Sequence, residues 1–243
     1  MSETPVQLTF DLPPATRRDL AAWVVSEGNR AAFELVMRWP DWPSRVVLLI
    51  GPEGAGKSHL AGIFAERAGA AVLAASDLSS VDPLGLAASA PLVIEDAGPG
   101  VDERALFHLL NAFGQADRAL LITARRPPAG WNLSLADLAS RLRAATPVEL
   151  AEPDDHLLEA VLEKLFADRQ CVVEPAVVNF LARRMVRSFA AAHRLVDALD
   201  RAALAAKGPI TRAVAARVLA EGHDGAPRLP GLDEGRDEEN NPS

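Results

Sequence analysis

Short apolar runs alternate with helically periodic segments through residues 30–150 of the chain. Two of the runs, Val46–Ile50 and residues 120–122, lack the apolar–polar alternation of a half-exposed strand, which indicates strands covered on both faces. Strands that alternate with helices predict an α/β fold, in which a parallel, doubly wound sheet is flanked by helices. The predicted strands are residues 45–50, 71–74, 91–95, 119–123 and 147–150, and the predicted helices are residues 30–38, 58–68, 102–115 and 134–143.

Beyond residue 152 the pattern changes to helices alone. Acidic residues or proline mark two helix starts, and Gly208-Pro209 marks the end of the third helix. The predicted helices are residues 157–169, 175–187, 189–206 and 211–221. The chain therefore divides into an N-terminal segment (1–15), an α/β domain (16–151), a small all-helical domain (152–222) and an acidic tail (223–243), for which we expect disorder.

Composition narrows the class of protein without indicating a function. The net charge of −8 argues against broad non-specific DNA binding, which needs a basic surface. No apolar run approaches the roughly 20 residues of a membrane helix, and the N-terminus does not resemble a signal sequence. The single cysteine, Cys171, excludes an internal disulfide and fits a reducing compartment. We therefore expect a cytoplasmic protein that does not bind a membrane.

The segment after the first predicted strand carries the strongest functional signal. Residues 51–58, which we call the phosphate loop, read Gly-Pro-Glu-Gly-Ala-Gly-Lys-Ser, a complete G-x-x-x-x-G-K-S pattern between a strand and a helix. Its glycines let the backbone curl so that N–H groups face phosphate oxygens, and the following helix adds its positive end. Lys57 is placed to neutralise the β- and γ-phosphates, and Ser58 to hold Mg²⁺. The sequence therefore predicts a site for ADP or ATP with Mg²⁺.

Two further strands end in polar side chains. Glu95 and Asp96 follow an apolar strand, which would place one acid near Mg²⁺ and the other near the attacking water. We assign the metal to Glu95 together with Ser58. Thr123 stands at the tip of the next strand, where it could sense the γ-phosphate. The structural alternatives are a buried strand followed by an acidic turn, and a threonine that only ends a strand.

Arg141 lies near the end of a short predicted helix. Its planar guanidinium can spread charge over phosphate oxygens, which suits it to reach the nucleotide of a neighbouring subunit. A surface arginine that interacts with the C-terminal end of its own helix explains the same spacing equally well. The residues alone leave both interpretations open.

The order of these motifs resembles the AAA+ ATPases, and more specifically the ATPase module of the bacterial replication initiator DnaA. Residues 28–30, 107–113 and 120–128 are similar to that group's characteristic segments. Residues 132–142, Asn-Leu-Ser-Leu-Ala-Asp-Leu-Ala-Ser-Arg-Leu, read almost as they do in the regulatory-inactivator branch of the DnaA-like proteins. The resemblance covers about residues 5–221 and implies an AAA+ nucleotide-binding domain with a small helical lid.

The resemblance also implies which residues contact the nucleotide. Asn29 belongs to the adenine-side segment, and the third lid helix would contribute a sensor arginine. Ungapped alignment puts His193 at the sensor position with Arg194 beside it, and we favour Arg194 because a guanidinium stays charged at neutral pH. The implied nucleotide-binding residues are Asn29, Gly51, Pro52, Glu53, Gly54, Ala55, Gly56, Lys57, Ser58, His59 and Arg194.

The extreme N-terminus resembles the sliding-clamp-binding peptide of the inactivator branch. The amide of Gln7 can hydrogen-bond in a small polar pocket while Leu8, Phe10 and Leu12 fill apolar ones. On the pattern alone, an N-terminal β-strand of the core explains the same alternation. The implied partner is the DNA-loaded sliding clamp, the β subunit of DNA polymerase III.

Together these features imply a negative regulator of replication initiation. Loaded on the clamp, the protein would meet ATP-bound DnaA, and Arg141 would act in trans as an arginine finger that promotes ATP hydrolysis by the initiator. Because only the acidic tail follows the lid, we expect no helix-turn-helix domain and no sequence-specific DNA binding. A homodimer that hides the clamp peptide or Arg141 is a further hypothesis.

Two departures from the family pattern reduce the expectation of intrinsic ATP hydrolysis. The paired acids begin with Glu95 rather than with aspartate, and Arg125 stands where the family has an acidic residue. We therefore expect weak or no ATPase activity by the chain alone, with nucleotide binding retained. The competing hypotheses are an autonomous AAA+ ATPase in DNA remodelling or helicase loading, and a module that uses nucleotide only as a structural ligand.

Overall fold

The computed structural model describes Leu20 and residues 23–222. The predicted clamp peptide, with Gln7, Leu8, Phe10 and Leu12, and the acidic tail lie outside the described residues. None of the described helices is both long and apolar enough to cross a bilayer.

One sheet of five parallel strands has the order β2-β3-β4-β1-β5. The strands are β1 (Val46–Ile50), β2 (Ala71–Ala74), β3 (Leu92–Ala97), β4 (Leu120–Ala124) and β5 (Thr146–Glu149). Because all strands run the same way, their carboxyl ends meet at one edge of the sheet, where ligands bind in such folds. The register pairs Ile50 with Ala124, so the phosphate loop begins beside the tip of β4.

Helices cover both faces of the sheet, which confirms the predicted α/β architecture. One face packs against α1 (Glu27–Met37) and α2 (Lys57–Ala68). The other face packs against α3 (Pro83–Ser89), α4 (Glu103–Gln115) and α5 (Ala136–Ala144). Successive residues of β1 alternate between the two buried clusters, as expected for a strand covered on both sides.

The sequence did not predict α3, which has only seven residues and contains a glycine. Its start is nevertheless well specified, because Pro83 occupies the first turn and Asp82 is the N-cap. The two carboxylate oxygens of Asp82 accept hydrogen bonds from the backbone amides of Leu84 (3.1 Å) and Gly85 (3.0 Å). A helix this short gives no clear periodic signal.

The remaining helices pack around a separate apolar cluster. They are α6 (Asp155–Asp168), α7 (Pro175–Ala182), α8 (Phe189–Ala206) and α9 (Arg212–Ala220), and we call them the lid. The prediction that α7 extends to residue 187 was wrong, because the helix ends at Ala182. Met185 lies in the turn that follows and is still buried. Arg187, in that turn, donates to the carboxylate of Asp155 at 2.7 Å. The turn places Ser188 as the N-cap of α8.

Candidate nucleotide-binding site

The phosphate loop leaves the carboxyl end of β1 and closes into α2. Gly56 is the N-cap of α2 and has a left-handed backbone (φ 93°), which glycine adopts without steric cost. Lys57 is only 7% exposed. Its Nζ donates hydrogen bonds to the carbonyl oxygens of Gly51 (2.8 Å) and Pro52 (2.7 Å). The ammonium group is therefore held within the curve of the loop, beside the free amides at the start of α2.

Charged side chains from three segments meet around Lys57. Burial is the main cause that lowers the pKa of Lys57, and Arg125 lowers it further, whereas Asp96 and Glu53 raise it. Arg125 at the tip of β4 forms an ion pair with Glu53 of the phosphate loop at 2.8 Å. Both partners are largely exposed, so the pair contributes little stability. A cleft of about 450 Å³, lined in part by Asp96 and Arg125, opens beside this group.

A bulge at the end of β3 presents Asp96. The register between β3 and β4 shifts between Ile94 and Ala97, and Asp96 has a positive φ of 58°. The backbone amide of Asp96 donates to Oγ1 of Thr123 at 2.9 Å. Thr123 is fully buried, so it holds the bulge in place and fixes the direction of the exposed Asp96 side chain. A role of Thr123 as a γ-phosphate sensor stays a prediction.

Glu95 lies on the face of β3 that packs against α2. It stands two residues after Val93, which packs with residues of α2, and side chains two residues apart in a strand share a face. Its Oε1 atom is buried, and within residues 23–222 it has no hydrogen-bond partner. Buried polar atoms are nearly always paired, so this oxygen fits a ligand for a cation or for a bound donor.

Binding of Mg²⁺ would need ligands from the nucleotide as well as from the chain. In the part of the chain that the structure describes, no group of three or more histidine, cysteine or acidic side chains is suited to hold a metal ion. Mg²⁺ commonly takes one or two protein ligands and completes its shell with phosphate oxygens and water. Glu95, with its unpaired buried oxygen, and the half-buried Ser58 in the first turn of α2 fit that donor set.

Aromatic rings bound the site beside the last glycine of the loop. Trp23 stacks on Phe33, with ring centroids 6.1 Å apart, and meets His59 edge-on at 5.3 Å. A Cβ atom at Gly56 would lie 2.9 Å from the ring of Phe189 and 3.4 Å from that of Trp23. The indole Nε1 of Trp23 is buried and has no hydrogen-bond partner among the described residues. Flat apolar walls with an unused donor suit a nucleobase.

Asn29 supports this aromatic wall. It is only 3% exposed. Its Oδ1 accepts from the amide of Ser26 at 2.8 Å, and its Nδ2 donates to the carbonyl of Val24 at 2.9 Å. These bonds fix the segment that carries Trp23. Asn29 therefore positions the predicted adenine-side wall, and direct contact between Asn29 and a base stays a prediction.

The lid touches the phosphate loop at the start of α8. Gly54 has a positive φ of 81°, and a Cβ atom added there would lie 2.2 Å from Cβ of Ser188 and 3.1 Å from its Cα. The amide of Phe189 donates to the carbonyl of Gly54 at 3.3 Å. Because backbone approaches backbone, the contact leaves no room for a side chain at position 54.

His193 and Arg194 are neighbours on α8 that differ in burial. His193 is half-buried, and burial is the main cause that lowers its pKa, with Arg169 and His59 of α2 lowering it further. Arg194 is exposed on the neighbouring face of α8. The sequence favours Arg194 as the sensor because of its charge, and the choice between His193 and Arg194 is still open. Contact of Arg194 with a phosphate stays a prediction.

Arg141 lies in the last turn of α5 and is exposed. Its Cζ atom lies 5.5 Å from the ring centroid of Phe107 on α4, a cation–π contact. Among the described residues it forms no ion pair. A guanidinium that lies over a ring keeps donors at its edge, so Arg141 presents an oriented, uncompensated charge on the surface.

Glu103 of α4 positions the helix that carries Arg141. Its carboxylate accepts hydrogen bonds from the amide (3.0 Å) and hydroxyl (3.0 Å) of Ser134 and from the amide of Leu135 (2.7 Å). Leu135 is the N-cap of α5 and supplies no side-chain cap. Glu103 therefore accepts hydrogen bonds from amides at the start of α5, the role that an N-cap side chain usually has.

Replacing Glu103 by glutamine should flatten the pH dependence of stability on the acid side. The backbone amides of Ser134 and Leu135 hold the pKa of Glu103 below its ordinary value. A carboxyl group with a depressed folded-state pKa stabilises fully above its unfolded value, about 4.3, and loses that contribution as pH falls through the folded value. We expect urea-unfolding midpoints of Glu103→Gln to fall less than wild-type midpoints from about pH 6 to about pH 3. Glu66→Gln, an exposed carboxylate on α2, is the control and should keep the wild-type slope.

Three residues of the site carry no sequence motif. Trp23 looks like a packing residue in the sequence, and Ser188 and Phe189 only mark a helix start. Ser188 and Phe189 reach the phosphate loop through the docking of α8, whereas Trp23 reaches it from the segment before α1. No local pattern in the sequence predicts either contact. The position of Arg125 could have been predicted from the sequence. It directly follows a parallel strand, and ligands bind at the carboxyl ends of such strands.

Several solved structures share this fold, although no protein-family model matches the chain. Domain III of the Thermotoga maritima replication initiation protein DnaA is 16% identical, with a TM-score of 0.70 over 86% of this chain and 98% of that domain. AMPPCP-bound DnaA from Aquifex aeolicus is 17% identical, with a TM-score of 0.68 over 86% of this chain and 70% of that one. The RuvB Holliday junction branch migration motor of Thermotoga maritima is 18% identical, with a TM-score of 0.65 over 86% and 74%. At these identities the likeness establishes the fold alone.

Proposed function

We propose that this chain is an adenine-nucleotide-binding regulator of replication initiation that promotes ATP hydrolysis by DnaA. One observation carries the proposal: Arg141 is exposed and held over Phe107, without an ion-pair partner among the described residues. An arginine that stands outside the phosphate loop of its own chain fits action on the nucleotide of a partner.

The nucleotide has a defined set of contacts in this proposal. Lys57 and the amides at the start of α2 would bind the phosphates of ADP or ATP. Ser58 and Glu95 would hold Mg²⁺, which would supply positive charge to balance part of the phosphate charge. Trp23 and Phe189 bound the base, and AMPPCP in a DnaA of the same fold supports an adenine base.

Arg141 would act on the γ-phosphate of ATP bound to DnaA. Hydrolysis builds charge on the phosphoryl oxygens, and a planar guanidinium stabilises that charge through two parallel hydrogen bonds. The partner assignment is supported by the shared fold with DnaA domain III and by the inactivator-like segment 132–142, which includes Arg141. DnaA would then hold ADP, which leaves it inactive for initiation.

The N-terminal segment would tether the regulator to the DNA-loaded sliding clamp. Replacing both Leu8 and Phe10 by alanine should weaken clamp binding on the order of 100-fold, because two apolar anchors are lost. Thr9→Ala is the matched control, since Thr9 lies between the two anchors and is not among the residues assigned to clamp contacts. The measurement is fluorescence anisotropy with DNA-loaded clamp. Equal affinity for the double variant and the control would rule out this peptide as the clamp anchor.

The central experiment measures ATP hydrolysis by purified DnaA, with and without DNA-loaded clamp, before and after addition of this protein. The proposal expects faster hydrolysis only when both the clamp and the protein are present. No acceleration under any condition would refute it. A parallel titration with ADP and ATP measures nucleotide binding separately. The nucleotide site is therefore tested by its own result, even if the regulatory proposal fails.

The second candidate function is an autonomous AAA+ ATPase. Asp96 lies within electrostatic range of Lys57, and Glu95 has a buried oxygen with no hydrogen-bond partner among the described residues, so the chain carries acids of its own at the site. RuvB, a branch migration motor, shares the fold. The same hydrolysis assay without DnaA distinguishes the two functions. Rapid ATP turnover by the protein alone, together with no effect on hydrolysis by DnaA, would favour the autonomous ATPase.

A further inference from the structure

Phe180, Arg184 and Arg212 form a cluster on the surface of the lid. The Cζ atom of Arg184 lies 4.3 Å from the ring centroid of Phe180, and that of Arg212 lies 4.9 Å from it. Both arginines are exposed and the ring is half-buried. We call these three residues the arginine–aromatic cluster.

The cluster carries two positive charges that no described acid compensates. Within residues 23–222, neither Arg184 nor Arg212 has an ion-pair partner. Two guanidinium groups over one ring repel each other, so an anion between or beside them would relieve that repulsion. Contact with the ring restrains each guanidinium and leaves N–H donors at its edge, which suits bidentate contact with carboxylates.

The acidic tail of the same chain has the complementary chemistry. Residues 233–239 read Asp-Glu-Gly-Arg-Asp-Glu-Glu, with five acids and one arginine. The nine residues of α9 begin at Arg212, so the end of that helix lies about 13 Å from the cluster. From Gly222 to Asp233 the chain can span up to about 36 Å, which is enough to return to Arg212.

We propose that residues 233–239 dock on the arginine–aromatic cluster of their own chain. The tether favours the tail over a nucleic acid. Because the tail belongs to the same chain, its effective concentration at the cluster is on the order of millimolar. The contact covers Arg184 and Arg212, so any external acidic or phosphate-bearing partner has to displace the tail. The inference depends on neither nucleotide binding nor DnaA.

The test uses a fluorescently labelled synthetic peptide of residues 223–243 and a chain that ends at residue 222. That truncated chain retains all three buried clusters, which lie within the described residues. Fluorescence anisotropy should show saturable, salt-sensitive binding of the peptide to the truncated chain. The full-length chain should bind the peptide at least about ten-fold more weakly, because its own tail competes.

The variants separate specific docking from general charge. Arg184→Ala combined with Arg212→Ala should weaken peptide binding about ten-fold or more, because both forks are lost. Arg67→Ala combined with Arg143→Ala removes the same charge from exposed sites of the α/β part and should leave binding nearly unchanged. Equal loss in both double variants, or equal peptide affinity for the full-length and truncated chains, would overturn the proposal. So would tight binding of a labelled single-stranded oligonucleotide to the cluster without competition by the peptide, which would make it a nucleic-acid site.

Discussion

Replacing Arg141 by alanine should abolish the acceleration of ATP hydrolysis by DnaA while leaving this chain folded and able to bind ADP. Arginine fingers contribute about 10³–10⁵-fold in rate, because their charge is positioned before the phosphoryl transfer begins. The side chain is exposed, and its contact in the structure is the ring of Phe107, so truncation removes little buried surface. The measurement is single-turnover hydrolysis of ATP bound to DnaA, with DNA-loaded clamp present.

Two matched variants make this result specific. Arg143→Ala removes the same charge from an exposed position of the same helix, two residues away, and should keep wild-type acceleration. Arg141→Lys keeps the charge and loses the planar fork, so it should recover only a small part of the rate. If Arg141→Ala still accelerates hydrolysis by DnaA, the finger assignment is wrong even if the protein remains a regulator.

Replacing Gly54 by alanine should separate the lid from the phosphate loop and weaken ADP binding at least about ten-fold. The new Cβ atom would lie 2.2 Å from Cβ of Ser188 and 3.1 Å from its Cα, so the start of α8 has to move. That movement also removes the hydrogen bond from the amide of Phe189 to the carbonyl of Gly54. Since Phe189 bounds the predicted base site, its displacement opens that wall. Calorimetric titration with ADP measures the effect.

Gly100→Ala separates the steric cause from the backbone cause. Gly100 has nearly the same φ as Gly54, 82° against 81°, and a Cβ atom there would have no neighbour within 4 Å among the described residues. Both substitutions carry the conformational cost of a positive φ, roughly 1–2 kcal/mol. Only Gly54→Ala adds the collision with the lid. Equal ADP affinities for the two variants would mean that the contact between Gly54 and the lid does not support nucleotide binding.

Local sequence was sufficient for the architecture and for the phosphate loop. The five strands and most helices were predicted within a few residues, because burial on both faces of a sheet imposes an apolar pattern that is contiguous in the chain. The loop is likewise contiguous, and Gly56 and Lys57 occupy the left-handed N-cap and the first helical position that the motif requires. The short α3 and the early end of α7 were missed, because the first has too few residues for a period and the second buries Met185 from a turn.

The tertiary structure alone decided the contacts between residues that are far apart in the chain. Periodicity identifies which face of a helix is buried and not what packs against it, so nothing local brings Phe189 over Gly56, or Glu103 to the start of α5. The packing of α8 also half-buries His193 and leaves Arg194 exposed, a difference in burial that charge alone does not predict. The sequence by itself therefore determined the class of fold and the phosphate-binding segment, because both are encoded in contiguous residues. Only the folded chain decided which side chains surround that segment, because those neighbours are set by the packing of whole helices.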